Sequence, residues 1–373
     1  MMASSVTVIV KTSYLCNFSC DYCYEGRSSG GLMSIETAYN LVDTLASYSL
    51  RNNTPISFVW HGGEPLLLGV DFYQKIVDRQ KSFGDGFQFQ NYIQTNGDIL
   101  NKNFAKFFVD NNFNVGVSLD GPQIIHDSQR RKKDGSSSFI RVLEGIHNME
   151  NYGRRPGIMS IFTKNTKRYI HEYYEFFASM NMSFRINPLL ITGNMLNANS
   201  SDLFVTQEEY GDSLIHIYDQ WISEKSHAFT IYPFDYIVRG LISGIPRSCS
   251  FIGKCHQYFK VDPEGNVRPC GKRDDEFILG NVKDNQFTEI CQSDAMKKFE
   301  VARKSVENHC SGCEFYKICN GGCAISAQSF GGKLGDRDIY CDSYKRIFSH
   351  IRDSIYASMT QQPKLGEGHE HRN

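Results

Sequence analysis

The chain has 373 residues, with 40 Lys and Arg against 41 Asp and Glu, 40% hydrophobic residues and 13% aromatics. At about 100–200 residues per domain this length suggests two domains, and the apolar content is enough for a sizeable core, which excludes disordered and collagen-like classes. A formal charge of −1 argues against a nucleic-acid or acidic-membrane partner, because both are held largely through clustered Lys and Arg.

Met1 to Val10 has no basic region followed by a long apolar stretch, and nowhere do ~18 apolar residues run together, so the chain reads as cytoplasmic with no membrane contact. Short β-rich runs then alternate with helical periodicity. Strands are expected at Val6–Val10, Ile56–Trp60, Phe87–Gln94, Asn114–Leu119, Gly157–Phe162 and Ser183–Asn187. Helices are expected at Ser34–Ser49, Val70–Ser82, Asn101–Asp110, Phe139–Tyr152, Tyr169–Met180 and Thr206–Lys225, several with cap signals such as Ser34-Ile35-Glu36-Thr37 and Thr206-Gln207-Glu208-Glu209. Six β-then-α units imply an α/β fold with a parallel sheet, open or curled into a partial barrel, whose ligands gather at the C-terminal strand ends.

After about residue 240 the texture becomes Gly-, Cys- and turn-rich, a composition that builds little core of its own and points to metal sites as the organising element. The stretch Tyr344–Met359 reads as a helix and Gln361–Asn373 as a polar tail, in which His369 and His371 are read as a solvated terminus. The expected division is a partial barrel over 1–235, a cysteine-rich module over 236–345 and the helix and tail over 346–373.

Twelve cysteines in a reducing compartment point to metal ligation rather than disulfides. They fall in two territories: Cys16, Cys20 and Cys23 directly after the first strand, and nine more between Cys249 and Cys341. Three thiolates on one loop are one short of closing a tetrahedral zinc or filling the four irons of a cubane cluster, so an open coordination position is expected. Three buried structural cysteines, or zinc completed by a distant histidine such as His61, are the alternatives.

The segment Cys16-Asn17-Phe18-Ser19-Cys20-Asp21-Tyr22-Cys23 resembles the C-x3-C-x-aromatic-C motif of radical S-adenosylmethionine enzymes, with Tyr22 in the aromatic position. The resemblance implies a 4Fe-4S cluster whose fourth iron chelates S-adenosylmethionine, and a 5'-deoxyadenosyl radical that abstracts a substrate hydrogen. Gly62-Gly63-Glu64-Pro65 is similar to that family's element for the methionine amino group. By the same resemblance Thr95 and Asn96 lie near the cofactor, and Ser118 and Arg130 contact its ribose or carboxylate, which suits the fixed fork of Arg. Arg131, Lys132 and Lys133 are read as a solvated loop, with an acidic peptide as the rival partner.

Cys249-x5-Cys255-x14-Cys270, Cys310-x2-Cys313-x5-Cys319-x3-Cys323 and Cys341 resemble the SPASM module. This implies one auxiliary cluster on Cys249, Cys255, Cys270 and Cys323 and a second on Cys310, Cys313, Cys319 and Cys341, hence three 4Fe-4S clusters in all. Fully ligated auxiliary clusters suit electron transfer. Cys291 is left over and reads as a small buried apolar residue.

The architecture is similar to that of anaerobic sulfatase-maturing enzymes, which oxidise a Cys or Ser side chain to formylglycine and place an Asp after the third cysteine of the first auxiliary site as base. Gly271 stands there in this chain. Cys23-Tyr24-Glu25, the Trp60–Leu67 stretch and Ser118–Pro122 followed by His126-Asp127 resemble instead maturases of ribosomally made peptides. The expected activity is therefore β-hydrogen abstraction from a precursor peptide and crosslinking of the resulting carbon to an aromatic ring, a cyclophane. Thioether crosslinking and formylglycine formation are the alternatives, and an electron carrier or an enzyme acting on a small molecule are readings from other classes. A precursor peptide and an electron donor such as flavodoxin or ferredoxin are the expected partners. With 15 residues ahead of Cys16, the peptide is expected to dock on the barrel, the cysteine-rich module or a separate protein. Glu25, Asp235 and Tyr236 are candidates for the peptide site or a base.

Overall fold

The computed structural model describes residues 5–25, 31–191, 202–224, 228–270 and 277–360. Its strands are β1 (Val6–Ser13), β2 (Phe18–Cys20), β3 (Ile56–Gly62), β4 (Phe89–Thr95), β5 (Asn114–Ser118), β6 (Arg130–Lys132), β7 (Gly157–Phe162), β8 (Phe184–Pro188), β9 (Ile231–Tyr232), β10 (Tyr258–Val261), β11 (Asn266–Pro269) and β12 (Gly280–Asn281). Ten of them form one open sheet in the order β12-β11-β10-β1-β3-β4-β5-β7-β8-β9, parallel from β10 through to β9 and antiparallel at the β10–β11–β12 edge.

The period of two expected of half-buried strands decides what each face carries. Val8, Val10, Phe58, Trp60, Ile93, Val117 and Phe162 point under the helices and are fully buried or nearly so. The opposite face carries Ile9, Val59, Gln94, Ser118 and Ile161, all half-buried, with Tyr92 and Met159 exposed.

Helices α1 (Ile35–Asn52), α2 (Gly69–Lys81), α3 (Lys102–Asp110), α4 (Gln123–Gln129), α5 (Phe139–Asn151), α6 (Lys164–Arg168), α7 (Ile170–Ser179) and α8 (Gln207–Ser223) follow the strands. Their starts are local in origin. The Ser34 side chain accepts from Thr37 N at the head of α1, Asn101 caps α3, and Thr206 with Glu209 forms a capping box on α8, each satisfying N–H groups that the first helical turn leaves open. A stack of rings around Tyr73, Phe108 and Phe113 and another around Tyr173, Phe177 and Phe184 fill the layer between sheet and helices.

The C-terminal region does more than surround its cysteines. β10 lies parallel to β1, pairing Val8 with Phe259 and Val10 with Val261, and Phe259, Val261 and Val267 belong to the same core as the first seven strands. Phe287 packs edge-on to Tyr48 of α1 and to Phe259. The final helix, Cys341–Thr360, begins three residues before the periodicity suggested and lies along α8, where Tyr344 meets Tyr210 and Arg346 pairs with Asp212. Among the described residues, no helix is long and apolar enough to cross a membrane. His369, His371 and Gly271 lie outside the described residues.

Candidate iron-sulfur and cofactor site

The first cysteine loop leaves the C-terminal end of β1 and is pinned by a two-stranded ladder that the sequence reading did not contain. β2 pairs antiparallel with β6, placing Cys20 opposite Arg130, Ser19 opposite Arg131 and Phe18 opposite Lys132. Arg131 and Lys132 thus lie on a strand rather than in a loop, while Arg131 and Lys133 are exposed as expected. Lys132 pairs with Asp98 at 2.9 Å and Arg131 Nε donates to the Asp127 carbonyl at 2.8 Å. The backbone then turns through Cys23 N–H to Cys20 O at 3.2 Å, which brings the third thiol back beside the first two.

Burial pushes the Cys16 thiol above its ordinary pKa and that of Cys20 up to about 12, with Arg130 the largest opposing influence at Cys20. Buried thiols are poor thiolates unless a cation replaces the proton. Phe18 N–H at 3.3 Å and Asn96 Nδ2 at 3.7 Å are both directed at Cys16 sulfur, the N–H to sulfur pattern that suits a thiolate ligand.

The turn Gly62-Gly63-Glu64-Pro65 docks directly on this loop. Gly63 N–H donates to Ser13 O at 2.7 Å and Glu64 N–H to Leu15 O at 2.8 Å. A Cβ on Gly62 would fall 2.2 Å from Ser13 O, and one on Gly63 would fall 2.1 Å from Leu15 O. Only glycine permits this approach.

Glu64 is fully buried. Its Oε1 accepts from Leu66 N at 3.0 Å and Thr95 Oγ1 at 2.7 Å, and its Oε2 accepts from Asn96 N at 2.8 Å. Burial lifts its pKa to about 7 against these hydrogen bonds. The carboxylate therefore splices the ends of β3 and β4 together. Asn96 continues the chain of contacts, donating to Asn17 Oδ1 at 2.7 Å, while Asn17 donates to Asp98 at 2.8 Å. Ser118 accepts from Gln94 Nε2 at 3.0 Å.

Tyr22 is buried, donates to Asp120 and receives Arg130 Nη1 on its hydroxyl. Asp120 is further held by Gln129 Nε2 at 2.9 Å and Ile161 N at 3.0 Å. Arg130 Nε is buried with no hydrogen-bond partner among the described residues, an orphan donor that an anionic ligand beside the cysteine loop would satisfy.

One cluster at this end was not legible in the motif. Lys11 of β1 is 1% exposed. Its Nζ pairs with Glu25 and lies 3.2 Å from Tyr24 Oη and 3.3 Å from His61 Nδ1. Gly62 N–H also donates to His61 Nδ1, at 2.6 Å, so the imidazole is neutral with its hydrogen on Nε2. Burial and then Lys11 hold its pKa well below the ordinary value. Of the other candidates, Asp235 is engaged by Arg239 at 2.8 Å and Tyr236 accepts from Arg185 Nη2 at 3.0 Å.

The eight C-terminal cysteines gather as two groups. The Tyr258 hydroxyl is pushed up to about 12 by burial and then by Cys249, Cys255 and Cys270, and the Cys255 thiol is raised by burial with Cys323 and Cys249 adding to it. Cys310, Cys313, Cys319 and Cys341 line a single cavity. Cys291 stands apart, half-buried at the end of a short helix, with its thiol raised to about 12 by burial. Among the described residues, no three His, Cys, Asp or Glu side chains converge on a point fit for a single metal ion. The donor sets, two groups of four soft thiols and one of three, fit iron-sulfur clusters, which spread their ligands over a larger core.

A family model described as the radical SAM superfamily matches residues 10–177, and one described as the SPASM iron-sulfur cluster-binding domain matches residues 249–314. The chain is similar to the cysteine-type anaerobic sulfatase-maturating enzyme of Clostridium novyi, at 29% identity over 95% of this chain and 98% of that one. It is also similar to the serine-type enzyme of Bacteroides thetaiotaomicron, at 28% identity over 94% of this chain and 90% of that one. Its fold matches native anSMEcpe with bound AdoMet and Cp18Cys peptide at a TM-score of 0.84, 25% identity, and 95% and 99% coverage of the two chains. The cysteine loop, the glycine turn docked on it and the two further thiol quartets therefore belong to a member of the radical S-adenosylmethionine superfamily with a SPASM domain, whose cofactors are a 4Fe-4S cluster, auxiliary clusters and S-adenosylmethionine.

Proposed function

We propose that this chain is a peptide-modifying enzyme that oxidises a Cys or Ser side chain of a peptide or protein at its β-carbon to the aldehyde of formylglycine. The observation that carries this reading is near end-to-end similarity to both cysteine-type and serine-type sulfatase-maturating enzymes. It replaces crosslinking as the first reading. The bound cluster and S-adenosylmethionine supply a radical able to remove a hydrogen atom from carbon.

The chain's own residues would bind, orient and shield. In this reading Cys16, Cys20 and Cys23 hold the radical cluster. The backbone of Gly62, Gly63, Glu64 and Pro65 cradles the cofactor's amino group, with Thr95 and Asn96 fixing that turn through Glu64. Tyr22, Ser118 and Arg130 flank the rest of the cofactor, and the orphan Nε of Arg130 suits its carboxylate. Cys249, Cys255, Cys270 and Cys323 hold one auxiliary cluster, and Cys310, Cys313, Cys319 and Cys341 hold the other. The partly exposed sheet face with Tyr92 and Met159 offers an apolar floor for the peptide, and a small reductant protein such as flavodoxin or ferredoxin supplies electrons.

One observation favours a second reading. Gly271 follows Cys270, so the carboxyl group that would accept the substrate proton in formylglycine formation is not at that position. Cyclophane formation, in which the β-carbon adds to a nearby aromatic ring and an electron and a proton are lost, is the second reading.

The test is mass spectrometry of a sulfatase-derived peptide carrying Cys, or Ser at the same place, after anaerobic incubation with reconstituted enzyme. A product that reacts with a hydrazide supports formylglycine. Loss of two hydrogens from a precursor peptide, without hydrazide reactivity and with suppressed fragmentation between an aromatic residue and a neighbour, supports the crosslink instead. Turnover of S-adenosylmethionine without any peptide would sink both.

A further inference from the structure

Arg303 lies in the helix Asp294–Lys304 and is 6% exposed. Its Nη2 donates to the carbonyls of Asn320 at 2.6 Å and Gly322 at 2.8 Å. Its Nε and Nη1 are buried with no hydrogen-bond partner among the described residues. A guanidinium taken out of water costs several kcal/mol unless charge and hydrogen bonds compensate it, and buried N–H groups without acceptors are rare enough to need a cause. Two carbonyl contacts leave that cost largely uncovered.

Its surroundings supply the cause. The two carbonyls belong to the segment between Cys319 and Cys323, which carries one thiol of each quartet. That segment turns through Gly321 and Gly322 at φ of +79° and +77°, a conformation that favours glycine. A Cβ on Gly321 would lie 2.6 Å from Val306 Cγ2 and 3.4 Å from Arg303 Nη1. From the same segment Asn320 Nδ2 donates to Phe251 O at 2.7 Å, which lies between Cys249 and Cys255. Arg303 lines one cavity with Cys255, whereas the cavity lined by Cys310, Cys313, Cys319 and Cys341 has Arg337 on its wall instead.

We propose that Arg303 is the shared counter-ion of the two auxiliary clusters, using its two unpartnered N–H edges to stabilise the reduced state of the one held by Cys249, Cys255, Cys270 and Cys323 more than that of its neighbour. This rests on the assignment of the eight thiols to two clusters. A positive charge and N–H donors near a cluster favour the state with the extra electron and raise its potential. The asymmetry follows from position, Arg303 sharing a cavity with Cys255 while Arg337 lines the cavity of the other quartet.

The experiment is an EPR-monitored redox titration of the anaerobically reconstituted full-length holoenzyme, as wild type, Arg303→Gln and Arg303→Lys, with iron counted in each. Expected is full iron, about twelve per chain, with the midpoint of one auxiliary cluster lowered in Arg303→Gln, lowered less in Arg303→Lys, and the radical-cluster midpoint unmoved. Wild-type midpoints in either fully loaded variant overturn the proposal. Loss of an auxiliary cluster from both variants overturns it too, because Arg303 would then be only a clasp on the Cys319–Cys323 segment. Should the wild type itself hold only about four irons, the underlying thiol assignment fails, a result read without any variant.

Discussion

Arg130 stands directly across from Cys20 in the β2–β6 ladder, with its guanidinium 5.6 Å from the centre of the Tyr22 ring and donating to the Tyr22 hydroxyl. A strand pair that joins residues 110 positions apart thus carries a buried cation to the cysteine loop. Replacing Arg130 by Met takes a charged donor from the buried Tyr22 hydroxyl. Losing a hydrogen bond made by a charged group costs about 1.5–3 kcal/mol. Chemical denaturation should show that loss, with Arg130→Lys recovering only part of it because an ammonium lacks the fork. A change below about 1 kcal/mol would show that the contact contributes little more than a surface pair.

Replacing Cys16, Cys20 and Cys23 together by Ala should abolish production of 5'-deoxyadenosine and leave about eight irons per chain. Continued cleavage of S-adenosylmethionine by the triple variant would refute the radical-cluster assignment.

Cys341→Ala should remove one auxiliary cluster, about four irons, and spare cofactor cleavage. Its thiol lines the same cavity as Cys310, Cys313 and Cys319, so iron analysis alone decides whether it is a ligand.

Glu64 makes stability depend on pH. Its folded pKa, about 7, lies above its ordinary 4.5, so the folded state holds an extra proton between those values. The favourable contribution is complete below about 4.5, falls as pH rises, and is lost by about 7. Over that window stability should drop by roughly 3 kcal/mol. Glu64→Gln should flatten the profile measured without S-adenosylmethionine, at the cost of one hydrogen bond, since an amide cannot accept from Leu66, Thr95 and Asn96 at once. An unchanged slope in Glu64→Gln would assign the pH dependence to another group.

Gly63→Ala places a methyl 2.1 Å from Leu15 O, a backbone atom that cannot rotate away. The cysteine loop must shift, at a cost of about 1–3 kcal/mol. Binding of S-adenosylmethionine by equilibrium dialysis should weaken with the melting temperature, whereas a variant with wild-type binding would mean the turn docks more loosely than its hydrogen bonds imply.

Much of the fold was legible in the chain. β7 spans Gly157–Phe162 as alternation alone suggested, and α1, α3 and α8 start where Ser34, Asn101 and Thr206 can cap them, because alternation and capping are written within a few residues. The helix α4 and the strands β2 and β6 were missed. They are short, and Arg130-Arg131-Lys132 has no apolar face to read. β10 was missed as part of the main sheet because its parallel partner β1 lies some 250 residues earlier.

For the site the division is similar. The sequence by itself determined which thiols are available and how they are spaced, and it determined the Gly-Gly-Glu-Pro turn, since ligand chemistry and backbone freedom are properties of residue type. Only the tertiary structure decided where the buried cations sit: Arg130 across from Cys20, Lys11 on Glu25 and His61, and Arg303 on the segment between Cys319 and Cys323. These pairings are created by sheet register and helix packing between segments distant in the chain, and a buried charge is indistinguishable from a solvated one until its neighbours exclude the water around it.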